Sequence, residues 1–321
     1  MIDELLGPIL VFGAGGFIGS NLLRQLLAVR DDVYGVARSP HSNWRLRQPA
    51  LPADRLRSCD ITRPQALRAL LQEVRPRTVF QLAAYGAYPQ QNQPGPIHQT
   101  NFNALIEMLE ILKDQGFSAL VQAGSSSEYG LRAAGPQEES ELIPNSHYAV
   151  SKVASHYALK YYGLVEKLPV VHLRLYSAYG PWEDPQRLVP RLLQHGRRGG
   201  YPPLADPWLS RDFVHVDDVV QAFLAAALQA APLAGQTFNI GTGRQTTLEQ
   251  LTAMVRSLCH LPQAPVFGTA ANRAWDVHPW YAQPERARQQ LGWSARISLE
   301  EGLRRTLEWQ IQGGFYDDSS V

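Results

Sequence analysis

Pro8-Ile9-Leu10-Val11-Phe12-Gly13-Ala14-Gly15-Gly16-Phe17-Ile18-Gly19 is the stretch on which the reading of the fold turns. A short apolar run enters a turn of glycines, and apolar residues then recur with helical spacing from 20 to 29. Strand, glycine turn and helix in that order bring backbone N–H groups and a helix N-terminus to one point, an arrangement suited to a pyrophosphate. Gly13, Gly16 and Gly19 are spaced GxxGxxG rather than GxGxxG. At the first strand of a chain, such a turn predicts a dinucleotide-binding α/β fold.

The alternation continues outward from this point. Segments 32–37, 55–60, 78–84, 119–123 and 170–175 read as further strands, with helices expected over 66–74, 97–112 and from Tyr148 onward. Strands joined by helices predict a Rossmann-type, doubly wound parallel sheet whose ligands lie beyond the carboxyl ends of the strands. The Gly-, Pro- and Gln-rich segment 85–96 reads as a loop over the cleft. Composition shifts after residue 176, where Tyr179-Gly180-Pro181 and Gly199-Gly200-Tyr201-Pro202-Pro203 are irregular. The expected division is a dinucleotide-binding domain over 1–176, also receiving about 212–242, and a smaller substrate-binding lobe from 177–211 and 243–321. Within these, 238–241 reads as a strand and 219–229, 248–258 and 299–312 as helices, with Asp217 as the N-cap of the first.

Length and charge narrow the classes. At 321 residues the chain is long enough for a sizeable core. Lys plus Arg total 30 against 29 Asp plus Glu, a net charge of +1, which argues against a nucleic-acid partner. The two cysteines, Cys59 and Cys259, lack metal-type spacing, so a reduced compartment and no metal site are expected. No apolar run approaches the ~20 residues of a membrane span, and the N-terminus lacks the basic and apolar regions of a signal peptide. A cytoplasmic protein without a membrane partner is the resulting expectation.

Asn145-Ser146-His147-Tyr148-Ala149-Val150-Ser151-Lys152 carries the chemistry. On a helix, Tyr148 and Lys152 lie one turn apart on the same face. A free phenol ionises near pH ~10, and a neighbouring ammonium favours the phenolate, so Tyr148 is expected to transfer protons with its pKa lowered by Lys152. Upstream, Ser125-Ser126-Ser127 at the end of a strand offers hydroxyls to the same cleft. The residue after the second strand selects the cofactor: a carboxylate suits the NAD ribose, an arginine the NADP phosphate. Ala37-Arg38-Ser39 has no acid there, and Arg45 and Arg47 follow. NADP(H) is therefore expected over NAD(H), with Arg38 at the adenine or the phosphate and Asp60 near the adenine ring.

With Asp60-Ile61, Gln81-Leu82-Ala83-Ala84, Asn101, Tyr129-Gly130, Leu173-Arg174, Tyr179-Gly180-Pro181, Arg211-Asp212-Phe213-Val214-His215-Val216-Asp217-Asp218, Asn239-Ile240-Gly241 and Leu291-Gly292-Trp293 in this order, the chain resembles the extended branch of the short-chain dehydrogenase/reductase superfamily, the nucleotide-sugar epimerases, dehydratases and ketoreductases. The resemblance implies hydride transfer between an NAD(P) cofactor and carbon four of an NDP-hexose. Tyr148 would act as acid/base, Lys152 would hold the ribose and lower its pKa, and a serine would complete the site. Aligned without a gap that serine is Ser125; a one-residue gap makes it Ser126. The implied cofactor contacts are Gly13, Gly15, Gly16, Phe17, Ile18, Gly19, Arg38, Asp60, Ile61, Leu82, Ala83, Ala84, Tyr148 and Lys152. Those for the sugar nucleotide are Ser127, Ser177, Arg187, Val189, Arg211 and Arg273, the two arginines Arg211 and Arg273 on the diphosphate. A homodimer through helices 97–112 and 148–163 is also implied.

Some positions depart from the family. The 4,6-dehydratases follow the catalytic Ser/Thr with Asp-Glu, where Ser126 and Ser127 stand here; Ser177 replaces a common asparagine and Gln81 a common histidine. A 4-ketoreductase or 4-epimerase is the leading expectation, and Arg38 tilts it towards reduction. A dehydratase or decarboxylase that uses Glu128 and a catalytically silent NADP-binding regulator are the alternatives.

Overall fold

The computed structural model describes residues 1–47, 51–271 and 278–313. Its first part runs β1 (Ile9–Phe12), α1 (Phe17–Leu27), β2 (Val33–Ala37), α2 (Trp44–Arg47), β3 (Leu56–Ser58), α3 (Pro64–Val74), β4 (Thr78–Gln81), α4 (Pro94–His98), α5 (Ala104–Gln115), β5 (Ala119–Ser125), α6 (His147–Leu164) and β6 (Val170–Leu175). There follow β7 (Ser177–Tyr179), α7 (Leu188–Arg197), β8 (Ser210–Arg211), β9 (Phe213–His215), α8 (Val216–Leu228), β10 (Thr237–Ile240), β11 (Thr246–Thr247), α9 (Leu248–Leu258) and α10 (Leu299–Ile311).

Seven strands form one parallel sheet in the order β10-β6-β5-β4-β1-β2-β3. The chain works outward from β1 in one direction and then from β4 in the other, so the crevice between β1 and β4 is the switch point at which such sheets bind ligands. Every residue of β1 is buried, as expected of a strand covered on both faces. One face packs Leu22 and Leu26 of α1 with Val219 and Phe223 of α8. The other packs Leu67 and Leu71 of α3 with Leu105 and Leu109 of α5. A separate cluster joins α7, α9 and α10 through Leu192, Leu193, Leu251, Val255, Leu303 and Leu307.

Asp212, fully buried, fastens that second cluster to the sheet. Its carboxylate accepts N–H bonds from Thr242 at 2.8 Å, Gly243 at 2.9 Å and Ala282 at 3.0 Å, and the Thr242 hydroxyl at 2.6 Å. Two local expectations are corrected. The helix expected from residue 219 begins at Val216, and its N-cap is His215, whose Nδ1 accepts the Asp217 N–H at 3.2 Å. Asp217 instead lies in the first turn, where a negative charge suits the helix dipole. The helix expected over 97–112 is interrupted by a π-helical turn at Gln99–Asn103.

Candidate active site

The glycine turn is shaped by contacts that leave no room for a side chain. Gly13 has φ +76, and a Cβ there would lie 2.6 Å from the Ala83 nitrogen. A Cβ on Gly19 would meet the Gly13 carbonyl at 2.2 Å, so helix and turn approach at backbone distance. Gly16 caps α1 without any side-chain acceptor, which leaves the amides of Phe17 and Ile18 at the helix start unclaimed by a side chain. That is the donor set an anionic pyrophosphate needs, so these residues fit a dinucleotide. Leu82, Ala83 and Ala84 run past Gly13 after β4, Leu82 donating its N–H to Phe12 at 3.0 Å.

The adenine end differs in part from expectation. The Arg38 side chain is exposed, and the backbone carbonyl of this residue accepts from the Ser58 hydroxyl. Arg45, buried, donates from Nε to the Trp182 carbonyl at 2.7 Å and from Nη1 to the Gly15 carbonyl at 3.4 Å. Asp60 accepts both the N–H and the hydroxyl of Thr62, which hold its carboxyl below the usual range, and the Ile61 side chain is in the core.

Tyr148 and Lys152 begin α6, which Ser146 caps by accepting the Ala149 N–H at 3.1 Å. The Ser125 hydroxyl is close enough to Tyr148 to favour its phenolate. Ser126, by contrast, is turned to Trp280, whose Nε1 donates to its Oγ at 3.1 Å. Lys152 is buried and donates to the Ala123 carbonyl at 2.8 Å, with Nζ 5.7 Å from the centre of the Tyr148 ring. Burial pushes Tyr148 up to about 12, against the opposing effects of the Ser125 hydroxyl and the Arg187 charge. It pushes Lys152 down to about 8. The lowered phenol pKa expected from Lys152 is thus corrected: desolvation of the phenolate outweighs the charges around it.

Glu128 is likewise not the cleft carboxylate that a dehydratase or decarboxylase would require. It is 0% exposed, accepts the Ser125 N–H at 2.8 Å, and pairs with His172 Nε2 at 2.9 Å and Arg174 Nε at 2.6 Å. These two partners hold it ionised well below the usual carboxylate range despite its burial. Glu128, His156 and His172 bring potential ligand atoms within 4.8 Å of one another, but the Arg174 guanidinium on the same carboxylate opposes a second cation.

On the substrate side, Arg187 precedes α7, reaches back to the Ala87 carbonyl at 3.0 Å and lies 4.5 Å over the Tyr88 ring. This strap ties the loop expected over 85–96 to the second cluster, and no sequence signal pointed to it. Arg211 stacks 5.0 Å over Trp280, which places it one ring away from Ser126. Ser127 and Ser177 are half-buried beside these groups, the Val189 side chain is buried, and Arg273 lies outside the described residues. The sequence also gave no sign of what Asn101 does. It accepts the Tyr85 N–H and donates to Ser151 Oγ, both at 2.8 Å, pinning the loop to α6. Its position in a π turn is the kind of local irregularity that accompanies functional sites.

Comparison with known proteins shows the family and the fold. Residues 9–241 match the model of the NAD dependent epimerase/dehydratase family. A UDP-glucose 4-epimerase of Mycolicibacterium smegmatis is 32% identical over 311 residues, covering 94% of this chain and 97% of the relative. The crystal structure of a UDP-glucose 4-epimerase with UDP-glucose from Thermotoga maritima superposes with a TM-score of 0.84 at 28% identity, covering 95% of this chain and 98% of the other. A UDP-glucuronic acid 4-epimerase from Bacillus cereus, in complex with UDP-glucuronic acid and NAD, gives 0.81 at 25% identity, over 95% of this chain and 99% of that one. No helix among the described residues is long and apolar enough to cross a membrane.

Proposed function

The chain belongs to the NAD dependent epimerase/dehydratase family of nucleotide-sugar enzymes, and from that premise we propose that it is a 4-epimerase of a UDP-hexose with NAD as its resident cofactor. What supports the reading is the approach of Tyr148 and Lys152, one helical turn apart with Nζ 5.7 Å from the centre of the phenol ring, beside Ser125 at the carboxyl edge of the sheet. A nicotinamide held at this edge supplies a reversible hydride acceptor for carbon four. Tyr148 removes the proton of the C4 hydroxyl and later returns it, Ser125 shares that proton and orients the oxygen, and Lys152 presents its ammonium towards the ribose. Gly13, Gly15 and Gly16, with the start of α1, would hold the pyrophosphate. Arg211 and Arg273 are proposed for the substrate diphosphate, with Ser127, Ser177, Arg187 and the backbone of Val189 along the sugar.

NAD is preferred in this reading because the matched family is NAD dependent; of the arginines that suggested NADP, Arg45 is taken up between Gly15 and Trp182, and Arg38 is exposed. The relatives named above are 4-epimerases, and one of their structures contains NAD. A self-restoring cycle also needs no exchange of cofactor, which removes the reason for favouring a ketoreductase. Native mass spectrometry of the purified protein, followed by UDP-glucose and UDP-glucuronic acid turnover, tests the proposal. Retained NAD and interconversion of C4 epimers are expected; protein that arrives empty and consumes NADPH with a 4-keto sugar would replace epimerase with reductase.

A homodimer is part of the proposal. Val150, Tyr157, Tyr161 and Leu164 leave an exposed apolar stripe along α6. Light scattering is expected to give twice the chain mass of 35.8 kDa, and a monomer at micromolar concentration would remove the dimer.

A further inference from the structure

We infer that Glu128 is a positioning residue that fixes the Ser125 hydroxyl against Tyr148. Ser125 is held at two points. Its own Oγ accepts the Ser127 N–H at 3.1 Å, and its N–H is held by Glu128 at 2.8 Å, which together form a reciprocal cap on the turn at Ser126–Tyr129. With one lone pair engaged by Ser127, the Ser125 hydroxyl keeps its proton for Tyr148, whose phenolate it favours.

The carboxylate is in turn fixed by β6. His172 and Arg174 bind its two oxygens at 2.9 and 2.6 Å, and Arg174 continues through Nη1 to the Tyr129 hydroxyl at 2.8 Å and the Glu138 carbonyl at 2.9 Å. Gly124 permits this approach, since a Cβ there would lie 2.3 Å from His172 Nε2 and 2.7 Å from Glu128 Oε1. The charge serves geometry here. The Ser125 N–H and the Arg174 Nε–H both point at Glu128, and His172 Nε2 lies 2.9 Å from it; an ionised carboxylate accepts at both oxygens with no proton of its own to place among them.

Glu128→Asp keeps the charge facing Arg174 and His172 but draws the carboxylate back by one methylene, so that it no longer reaches all three partners. The groups facing Glu128 are His172 and Arg174 from β6 and His156 from α6, with the Lys152 charge nearby; those facing Tyr148 are Ser125, Lys152, Arg187 and the Glu128 charge. Glu128→Asp changes none of these charges. An acid limb of kcat displaced to higher pH is the direction expected when the Ser125 hydroxyl no longer favours the Tyr148 phenolate, and the Ser125→Ala background separates that from the direct effect of the relocated Glu128 charge.

The inference rests on the assignment of Ser125 and Tyr148 as the proton-handling pair. Expected for Glu128→Asp are a kcat lower by about tenfold or more with KM within about threefold, a limb displaced to higher pH, and a crystal structure with Ser125 Oγ moved away from Tyr148. In a Ser125→Ala background the same substitution is expected to cost almost nothing further, because both act through one hydroxyl. Unchanged Ser125 coordinates, or an equal loss in the Ser125→Ala background, would overturn the inference. The crystallographic arm needs no substrate: a wild-type chain inert towards every UDP-hexose would sink the proposed function, while the position of Ser125 still decides this one.

Discussion

Trp280 donates its indole N–H to Ser126 across 154 residues of chain, while the hydroxyl of Ser125, one position earlier, favours the Tyr148 phenolate. Neighbouring hydroxyls therefore have different surroundings and are expected to respond differently. Ser125→Ala is expected to lower kcat by roughly 10²-fold, the lower range for a proton-handling group. Ser126→Ala should leave kcat nearly unchanged and cost about 1 kcal/mol of stability for the lost buried bond. Steady-state kinetics and urea unfolding of the two variants check this, and a larger kcat loss at Ser126 would reverse the assignment.

Gly13→Ala tests the cradle. The left-handed backbone alone costs a non-glycine residue roughly 1–3 kcal/mol, and the added methyl also collides with the strand end at Leu82 and Ala83. A lower Tm and loss of dinucleotide binding, followed by calorimetric titration with NAD, are the expected outcomes.

Arg187→Ala removes a positive charge that lowers the Tyr148 pKa and also opens the strap to Ala87 and Tyr88. The phenol should rise further, so turnover at pH 7 is expected to fall roughly severalfold and to recover as pH rises. A pH–kcat profile parallel to wild type at every pH would show that the charge does not reach Tyr148.

His156 sets an acid limit. Buried against Thr237, with Nδ1 3.0 Å from its hydroxyl, it is pushed by desolvation down to about 3 from an ordinary 6.5. Between those values the unfolded chain binds a proton that the folded chain does not, so the stability this group contributes above 6.5 is lost as pH falls through the window. The slope approaches about 1.4 kcal/mol per pH unit. Urea unfolding at pH 7 and pH 5 should show it, and His156→Asn should flatten it.

The fold was legible because its signals are local. The run into Gly13, the helix after it and the strand–helix alternation each lie within a few residues, and the seven-stranded sheet follows from them. Tyr148 and Lys152 were legible for the same reason, as one helical turn of sequence is one turn of space. What could not be read depends on distant partners. Glu128 looked available for chemistry because His172 and Arg174, which bury its charge, lie 44 and 46 residues away. Arg38 is exposed, and its position after the second strand did not by itself reveal the NAD dependence of the family. Asp217 resembled an N-cap because histidine, at 215, is an unusual residue in that role. The phenol's pKa was misjudged because spacing reveals a neighbouring ammonium but not the water removed from both groups.

The seat of Asp212 has a consequence for how such a chain diverges. Three of its four bonds come from main-chain N–H groups at Thr242, Gly243 and Ala282, which any non-proline residue supplies as far as the bond alone is concerned. One acidic position therefore anchors segments that come together from far apart without dictating most of the side chains they carry. Surfaces built on those segments are free to drift towards new specificities while the joint beneath them keeps its shape.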